Sequence, residues 1–295
     1  MVSIARMYGL SAQEQLDRLI DLALDEDIGE GDVTSEALIP ADTTAKFSFR
    51  AREDLVLAGV FLIPKVYAKL TLRTEGLLPP QSVAHCEDGA MIKKGETLIT
   101  LTGNAHLLLT GERLALNLLQ RLCGVATLTS RYVKEVEELD CAVLDTRKTM
   151  PGMRYLDKYA VHCGGGKNHR LRLDDAVLIK DNHLTVQPDI GAAIQTARAK
   201  HPDLKIEVEC DTLEQVAEAL IAKPDWILLD NMPPSILEQA VAMAEGTDVK
   251  LEASGGITLE SIKVKAKTGV DAISVGALTH SAVAVDIGLD RTIEA

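Results

Sequence analysis

The sequence predicts a mixed α/β protein that contains a parallel sheet. In the second half of the chain, short apolar runs alternate with helical segments, and the first hundred residues combine one amphipathic helix with short strands. Apolar residues make up 46% of the composition, which suits a sizeable core, and aromatic residues only 3%, so aliphatic side chains must fill it. A length of 295 residues fits one large domain or two smaller ones.

The first predicted element is an amphipathic helix. Ser11 and Glu14 match a capping box, and the apolar residues that follow share one helical face: Leu16, Leu19, Ile20, Ala23 and Leu24. Apolar and polar side chains then alternate through residues 44–51, which predicts a half-buried strand. The dipeptides Asp88-Gly89 and Lys94-Gly95 predict turns between further short strands.

Helices and parallel strands are predicted for the rest of the chain. Two helical stretches span roughly 106–121 and 125–139. Six apolar runs follow, at Ala142–Leu144, Ala176–Ile179, Ile206–Val208, Trp226–Leu229, Val249–Ala253 and Ala272–Val275. Continuous apolar runs are typical of parallel strands, which are buried on both faces. A closed eight-stranded barrel would need two more strands. The sequence is therefore compatible with either an incomplete barrel or an open sheet.

Charge and cysteine usage exclude several classes of protein. The 44 acidic and 31 basic residues give a net charge of −13, which disfavours nucleic acid and anionic membranes as partners. The five cysteines are scattered, without a C-x-x-C pair, and this argues against a disulfide framework or a structural zinc site. We therefore expect Cys123 and Cys163 to pack within helices. With no signal peptide in Met1–Leu10 and no membrane-length apolar run, the sequence predicts a soluble cytoplasmic protein.

Polar or glycine residues follow all six apolar runs. Ligands bind at the carboxyl ends of parallel strands, so these residues predict a lined pocket. In chain order they are Asp145–Lys148, Lys180–His183, Glu207 with Glu209, Asp230 with Asn231, Glu252 with Ser254–Gly256, and Gly276 with Thr279 and His280.

The charges in this predicted pocket are of two kinds. The basic set is Arg147, Lys148, His169, Arg170 and Lys180, which in so acidic a chain predicts a strongly anionic small ligand. Surface cations paired with local acids are the alternative. Glu209 and Asp230 end neighbouring strands and suit Mg²⁺, the alternative being carboxylates bonded to helix caps. The Ser254–Thr258 turn and the Gly164–Gly166 loop suit anions, although either could be an ordinary connection.

Several ordered motifs resemble the quinolinate phosphoribosyltransferase family. They span nearly the whole chain and are Glu26–Thr34, Thr146–Gly152, Lys158–Val161, Gly164–Arg170, Ile179–His183, Glu207–Glu209, Leu229–Met232, Glu252–Gly256 and Ser274–Ser281. Gly111 and Cys123 depart from the residues expected near the interface helix, where larger or hydroxyl side chains would stand.

The resemblance implies an N-terminal α/β sandwich domain and an incomplete, seven-stranded α/β barrel. We place the first domain at 1–116, with residues 281–295 returning to it, and the barrel at 117–280. It also implies a homodimer with shared active sites, which in some members assembles further. Arg113 would be the residue lent across the interface.

The implied activity transfers a phosphoribosyl group from phosphoribosyl pyrophosphate to quinolinate, with loss of CO2, in NAD biosynthesis. By resemblance, the quinolinate site comprises Arg113, Arg147, His169, Arg170 and Lys180. The phosphoribosyl pyrophosphate site comprises Lys148, Glu209, Asp230, Ser254, Gly255, Gly256, Gly276 and His280. Lys148, Glu209 and Asp230 are the catalytic candidates, with Mg²⁺ held by the two acids directly or through water, and Lys148 could act on either substrate.

Three other functions remain open at this point. A sister phosphoribosyltransferase would use nicotinate or another acid. A non-catalytic sensor of phosphorylated sugars would keep the pocket without the chemistry. A barrel aldolase or lyase would use Lys180 or Lys148 as a Schiff base.

Overall fold

The computed structural model describes residues 7–292, which form two compact units. The first unit contains the residues up to Ser130, the segment Thr149–Gly165 and the residues from Ala282 on. The second contains Arg131–Lys148 and Gly166–Ser281. None of the helices in the described part of the chain is both long and apolar enough to span a membrane.

A four-stranded antiparallel sheet lies in the first unit, in the order β12-β1-β5-β3. The strands of this unit are β1 (Thr44–Ala51), β2 (Leu55–Val56), β3 (Gln81–Ala84), β4 (Met91–Ile92), β5 (Thr97–Asn104) and β12 (Ile287–Arg291), with β2 and β4 forming a separate ribbon. The predicted strand at 44–51 is confirmed. Phe49 is buried on one face, and Ser48 is buried on the other, where its hydroxyl hydrogen-bonds to those of Thr100 and Thr292.

The predicted capping box of the first helix is wrong. The helix spans Leu10–Ile28, and Gly9 stands at its N-cap with no side-chain cap, so Ser11 lies inside the first turn. The predicted apolar face is otherwise present, because Leu16, Ile20 and Leu24 are buried. The other helices that lie wholly in this unit are Val33–Leu38, Leu62–Thr71, Ala105–Thr110 and Arg154–Cys163.

The predicted helix break near residues 121–125 is also wrong. The chain breaks instead at Gly111, between Ala105–Thr110 and a single helix over Glu112–Glu135. The helix continues through Gly124. Glycine is needed at this position because a neighbouring segment passes close by: a Cβ there would lie 2.1 Å from the Val283 carbonyl oxygen. Close approach of another backbone is a second reason for glycine inside a helix. Cys123 is fully buried in the same helix, as expected.

Six parallel strands form the sheet of the second unit, in the order β6-β11-β10-β9-β8-β7. They are β6 (Ala142–Leu144), β7 (Val177–Ile179), β8 (Ile206–Cys210), β9 (Trp226–Asp230), β10 (Lys250–Ser254) and β11 (Ala272–Ser274), so all six predicted runs are strands. The resemblance implied a seventh strand. In that place, beside β6, the described structure has one isolated parallel bridge between Leu144 and Lys167.

The helices of the second unit connect these strands or, in the case of Ala277–His280, follow the last one, and they confirm the mixed α/β class. They are Asp181–Leu184, Ile190–Lys200, Leu213–Ala222, Pro234–Ala244, Leu259–Ala266 and Ala277–His280. The side chains of Asp189, Thr212 and Thr258 cap three of them by accepting backbone N–H groups of the first turn. Because the strands are parallel, the carboxyl ends of all six lie along the same edge of the sheet.

Candidate active site

The carboxyl edge of the six-stranded sheet surrounds a cavity of about 560 Å³. It is lined by Thr146, Arg147, Lys148, His169, Arg170, Leu178, Lys180, Glu209, Leu228, Asp230, Asn231, Glu252, Ser254, Gly255, Gly256 and Ser274. The structure therefore brings together the predicted cations, the two predicted carboxylates and the glycine turn, although they come from distant parts of the sequence.

Asp145 holds the loop that carries the basic residues His169 and Arg170. It follows β6, is fully buried, and accepts the backbone N–H of His169 at 2.9 Å and the amide nitrogen of Asn168 at 2.6 Å. A buried carboxylate satisfied in this way fixes the loop that carries His169 and Arg170.

Arg147 lies close enough to Arg170 for its charge to act on the Arg170 guanidinium. Burial and the charge of Arg147 both lower the pKa of the Arg170 guanidinium. One guanidinium nitrogen of Arg170 donates to the Ala176 carbonyl at 3.1 Å. The buried Nε of Arg147 has no hydrogen-bond partner within residues 7–292. Two neighbouring guanidinium groups with unused donors create a strong site for carboxylates.

Three carboxylates lie close together at the carboxyl edge of the sheet, and two of them, Glu209 and Asp230, line the cavity. One oxygen from each of Glu209, Asp211 and Asp230 lies within 4.8 Å of the other two. The ammonium group of Lys180 donates to Glu209 Oε2 at 2.8 Å. The Asn231 amide donates to Asp230 Oδ2 at 2.6 Å and so orients that carboxylate. Such a set of hard oxygen donors fits Mg²⁺ and does not resemble the nitrogen and sulfur ligands of zinc sites.

The turn after β10 requires glycine at position 255. Gly255 has a φ of +88°, and a Cβ there would lie 2.1 Å from the Asn231 side-chain oxygen. Asn231 itself has a φ of 54° and donates its backbone N–H to the Ser254 carbonyl at 3.0 Å. This hydrogen bond and the close contact between Gly255 and Asn231 hold the turns after β9 and β10 together at the edge of the cavity.

Gly276 and His280 lie beside Lys148. A Cβ on Gly276 would lie 3.0 Å from Lys148 Cδ and 3.2 Å from the His280 ring, so glycine leaves room for both side chains. The Thr279 hydroxyl donates to the Lys148 carbonyl at 2.9 Å and fixes this segment. Arg113 belongs to the first unit, where it is exposed and lines a separate cavity of about 260 Å³.

Three acids near the cavity were assigned to neither substrate from the sequence, although Glu207 and Glu252 were among the residues predicted to line the pocket. Asp211 lies two residues after Glu209 and directly after the end of β8, and a spacing of two favours the same face in an extended chain, which was a usable signal. Glu207 has the same relation to Glu209. Glu252 approaches Glu207 only because strands from different parts of the chain lie close together in the sheet, and no short-range pattern predicts that.

A parallel sheet whose carboxyl edge gathers cations, carboxylates and a glycine turn defines an enzyme that acts on a small, multiply charged anion. Comparison with known proteins identifies the family. Residues 32–123 match the family model described as the N-terminal domain of quinolinate phosphoribosyl transferase, and residues 125–290 match its C-terminal domain.

Curated relatives and solved structures agree with these matches. A probable nicotinate-nucleotide pyrophosphorylase [carboxylating] of Bacillus subtilis is 41% identical over 280 residues, which cover 95% of this chain and 94% of the relative. The Mycobacterium leprae nicotinate-nucleotide pyrophosphorylase [carboxylating] is 43% identical, covering 91% and 94%. The structure of the Francisella tularensis nicotinate-nucleotide pyrophosphorylase has a TM-score of 0.86 at 36% identity, covering 95% and 96%.

The chain belongs to the quinolinate phosphoribosyl transferase family.

Proposed function

We propose that the protein transfers the phosphoribosyl group of phosphoribosyl pyrophosphate to quinolinate, releasing CO2 and pyrophosphate and forming nicotinate mononucleotide. The observation that carries this proposal is the pair Arg147 and Arg170 at a cavity of about 560 Å³, with the Arg147 Nε left without a partner among the described residues. Quinolinate carries two adjacent carboxylates, and two guanidinium groups can bind them in a two-pronged manner.

The carboxylates of quinolinate would lie at the basic side of the cavity. We assign them to Arg147, Arg170 and Lys180, with His169 completing the site. Arg113, which is exposed, would come from the neighbouring subunit of a homodimer. We further propose that the dimer works in the cytoplasm and that the sandwich domain ends near residue 116.

Phosphoribosyl pyrophosphate would lie at the acidic and glycine-rich side. The residues assigned to it are Lys148, Glu209, Asp230, Ser254, Gly255, Gly256, Gly276 and His280. Glycines at the turn after β10 let backbone N–H groups approach a phosphate closely. Glu209 and Asp230 would hold Mg²⁺, directly or through water, and Asp211 extends this donor set. The metal supplies charge neutralisation for the pyrophosphate leaving group.

In the proposed reaction, the main task of the protein is to position the substrates and to balance their charges. As the bond between the ribose carbon and the pyrophosphate oxygen breaks, its electron pair leaves with pyrophosphate, and the pyridine nitrogen forms the new bond to carbon. The ring nitrogen is then positively charged, so the adjacent carboxylate departs as CO2 and the electron pair left on the ring takes up a proton. In this proposal the arginines orient the ring, and the role of Lys148 is left open between the two substrates.

A product assay tests this proposal. Purified protein with quinolinate, phosphoribosyl pyrophosphate and Mg²⁺ should form nicotinate mononucleotide, pyrophosphate and CO2 in equal amounts. Turnover of nicotinate without CO2 release would identify the sister transferase instead. Binding without pyrophosphate release would identify a sensor, and borohydride trapping of a carbonyl substrate on Lys148 or Lys180 would identify a Schiff-base enzyme.

A further inference from the structure

Two buried acids lie beneath the basic side of the cavity and have no part in the proposed chemistry. Glu207 on β8 is 7% exposed and Glu252 on β10 is 1% exposed. Both point at the same ring, since His169 Nε2 lies 2.9 Å from Glu207 Oε2 and 3.4 Å from Glu252 Oε2. We call Glu207 and Glu252 the acid pair.

The other side of the His169 ring is also engaged. Its Nδ1 accepts the backbone N–H of Arg170 at 2.8 Å. A nitrogen that accepts this bond carries no proton, so in the neutral ring the proton lies on Nε2, which donates to the acid pair. The ring therefore links the acid pair to the backbone of Arg170, and its two nitrogens both have partners inside the protein.

The acid pair also affects the ionisation of Arg170. Burial, and then the charge of Glu207, raise the pKa of Glu252 to about 8, as expected when two carboxyl groups share a dry site. The negative charge of Glu207 acts on Arg170 and favours its charged form. Glu207 Oε1 and Glu252 Oε1 have no hydrogen-bond partner in the described chain. Buried acids with one oxygen left without a hydrogen bond destabilise a fold, so a role in stability does not explain this pair.

We propose that Glu207 and Glu252 are positioning residues for quinolinate binding: through His169 they fix the backbone of Arg170 and hold its guanidinium at the cavity. The inference rests on the proposed function. It makes His169 part of the support under the arginines, and it places the effect of the acids on one substrate only.

Substrate-resolved kinetics separate this role from a general structural one. We expect Glu252→Leu to raise the KM for quinolinate by roughly 10- to 100-fold, because small displacements of binding groups have effects of this size. The KM for phosphoribosyl pyrophosphate and the melting temperature should stay near wild type. Glu252→Gln, which keeps a hydrogen-bond donor toward Glu207, should restore most of the affinity, and the exposed Glu260→Gln serves as the matched control. An unchanged KM for quinolinate in Glu252→Leu, or parallel rises for both substrates, would overturn the proposal.

Nitrogen NMR of the histidines tests the same geometry without turnover. The chain has seven histidines, and the signal missing from His169→Gln assigns the relevant ring. We expect His169 to show a protonated Nε2 and an unprotonated Nδ1 in the wild type, and to lose this fixed state in Glu252→Leu. A ring that titrates freely in the wild type would refute the inference even if the protein turned over quinolinate. A stoichiometric transition metal that survives dialysis and is lost in Glu252→Leu would also refute it, since the three side chains would then be metal ligands.

Discussion

Removal of the Arg147 guanidinium should separate substrate binding from stability. Arg147→Ala deletes donors that we assign to a quinolinate carboxylate, and a hydrogen bond to a charged group is worth about 1.5–3 kcal/mol. A loss of about 3 kcal/mol corresponds to roughly 140-fold weaker binding. No described protein group depends on the Arg147 Nε, and the variant relieves the repulsion of Arg170. We therefore expect the melting temperature to change by no more than about 2 °C.

Calorimetry can measure both quantities on the same samples. Quinolinate is titrated into wild type and Arg147→Ala, and both proteins are melted under identical conditions. Arg172→Ala is the matched control, because Arg172 is exposed and pairs with Asp174 at 2.9 Å, outside the residues that line the cavity. Wild-type affinity for quinolinate in Arg147→Ala would refute the assignment, and an unfolded variant would show that Arg147 is structural.

Three further substitutions test other parts of the account. Gly255→Ala should abolish turnover with phosphoribosyl pyrophosphate and lower the melting temperature, because the new Cβ collides with the Asn231 side-chain oxygen. Asp230→Asn should raise the Mg²⁺ concentration needed for half-maximal turnover, measured by metal titration, because one carboxylate charge is lost. Asp32→Asn should flatten the acid limb of the stability curve measured by thermal melts. Hydrogen bonds from the Ser35 hydroxyl and backbone lower the pKa of Asp32 below 3.8, so its contribution is full above that value and is lost as the pH falls through the lowered pKa.

Each of these has a matched control. Gly256→Ala has a similar backbone strain, at a φ of +60°, but meets nothing within 4 Å, so equal losses of melting temperature in both glycine variants would rule out the collision. Asp248→Asn removes an exposed acid outside the residues that line the cavity, and an identical Mg²⁺ response in both acid variants would count against the metal site. Asp42→Asn serves for the pH experiment, where a difference between wild type and Asp32→Asn that persists to the lowest pH would contradict the linkage.

The strands of the second unit were predictable because their burial produces a local sequence pattern. A parallel strand buried on both faces must be apolar along its whole length, so Ala142–Leu144 and the five later runs could be read from the sequence. The polar residues after them could be assigned to one site for the same reason, since parallel strands all end at one edge.

The sequence was misleading or silent where local spacing does not decide the structure. Gly124 lies in the gap between the two predicted helical stretches, yet glycine is required there because the backbone at Val283, far along the chain, passes close to it. Ser11 and Glu14 fit a cap by spacing, but the N-cap is Gly9, two residues earlier. The proximity of Glu207 and Glu252 depends on the arrangement of strands in the sheet. The domain division at residue 116 and the site roles stay predictions.

A crystal structure of the protein soaked with quinolinate would test the central assignment most directly. The account predicts the pyridine ring in the cavity at the carboxyl edge of the six-stranded sheet, with its carboxylates within hydrogen-bonding distance of the Arg147 and Arg170 guanidinium groups. Quinolinate bound elsewhere, with both arginines making no contact to it, would contradict the account.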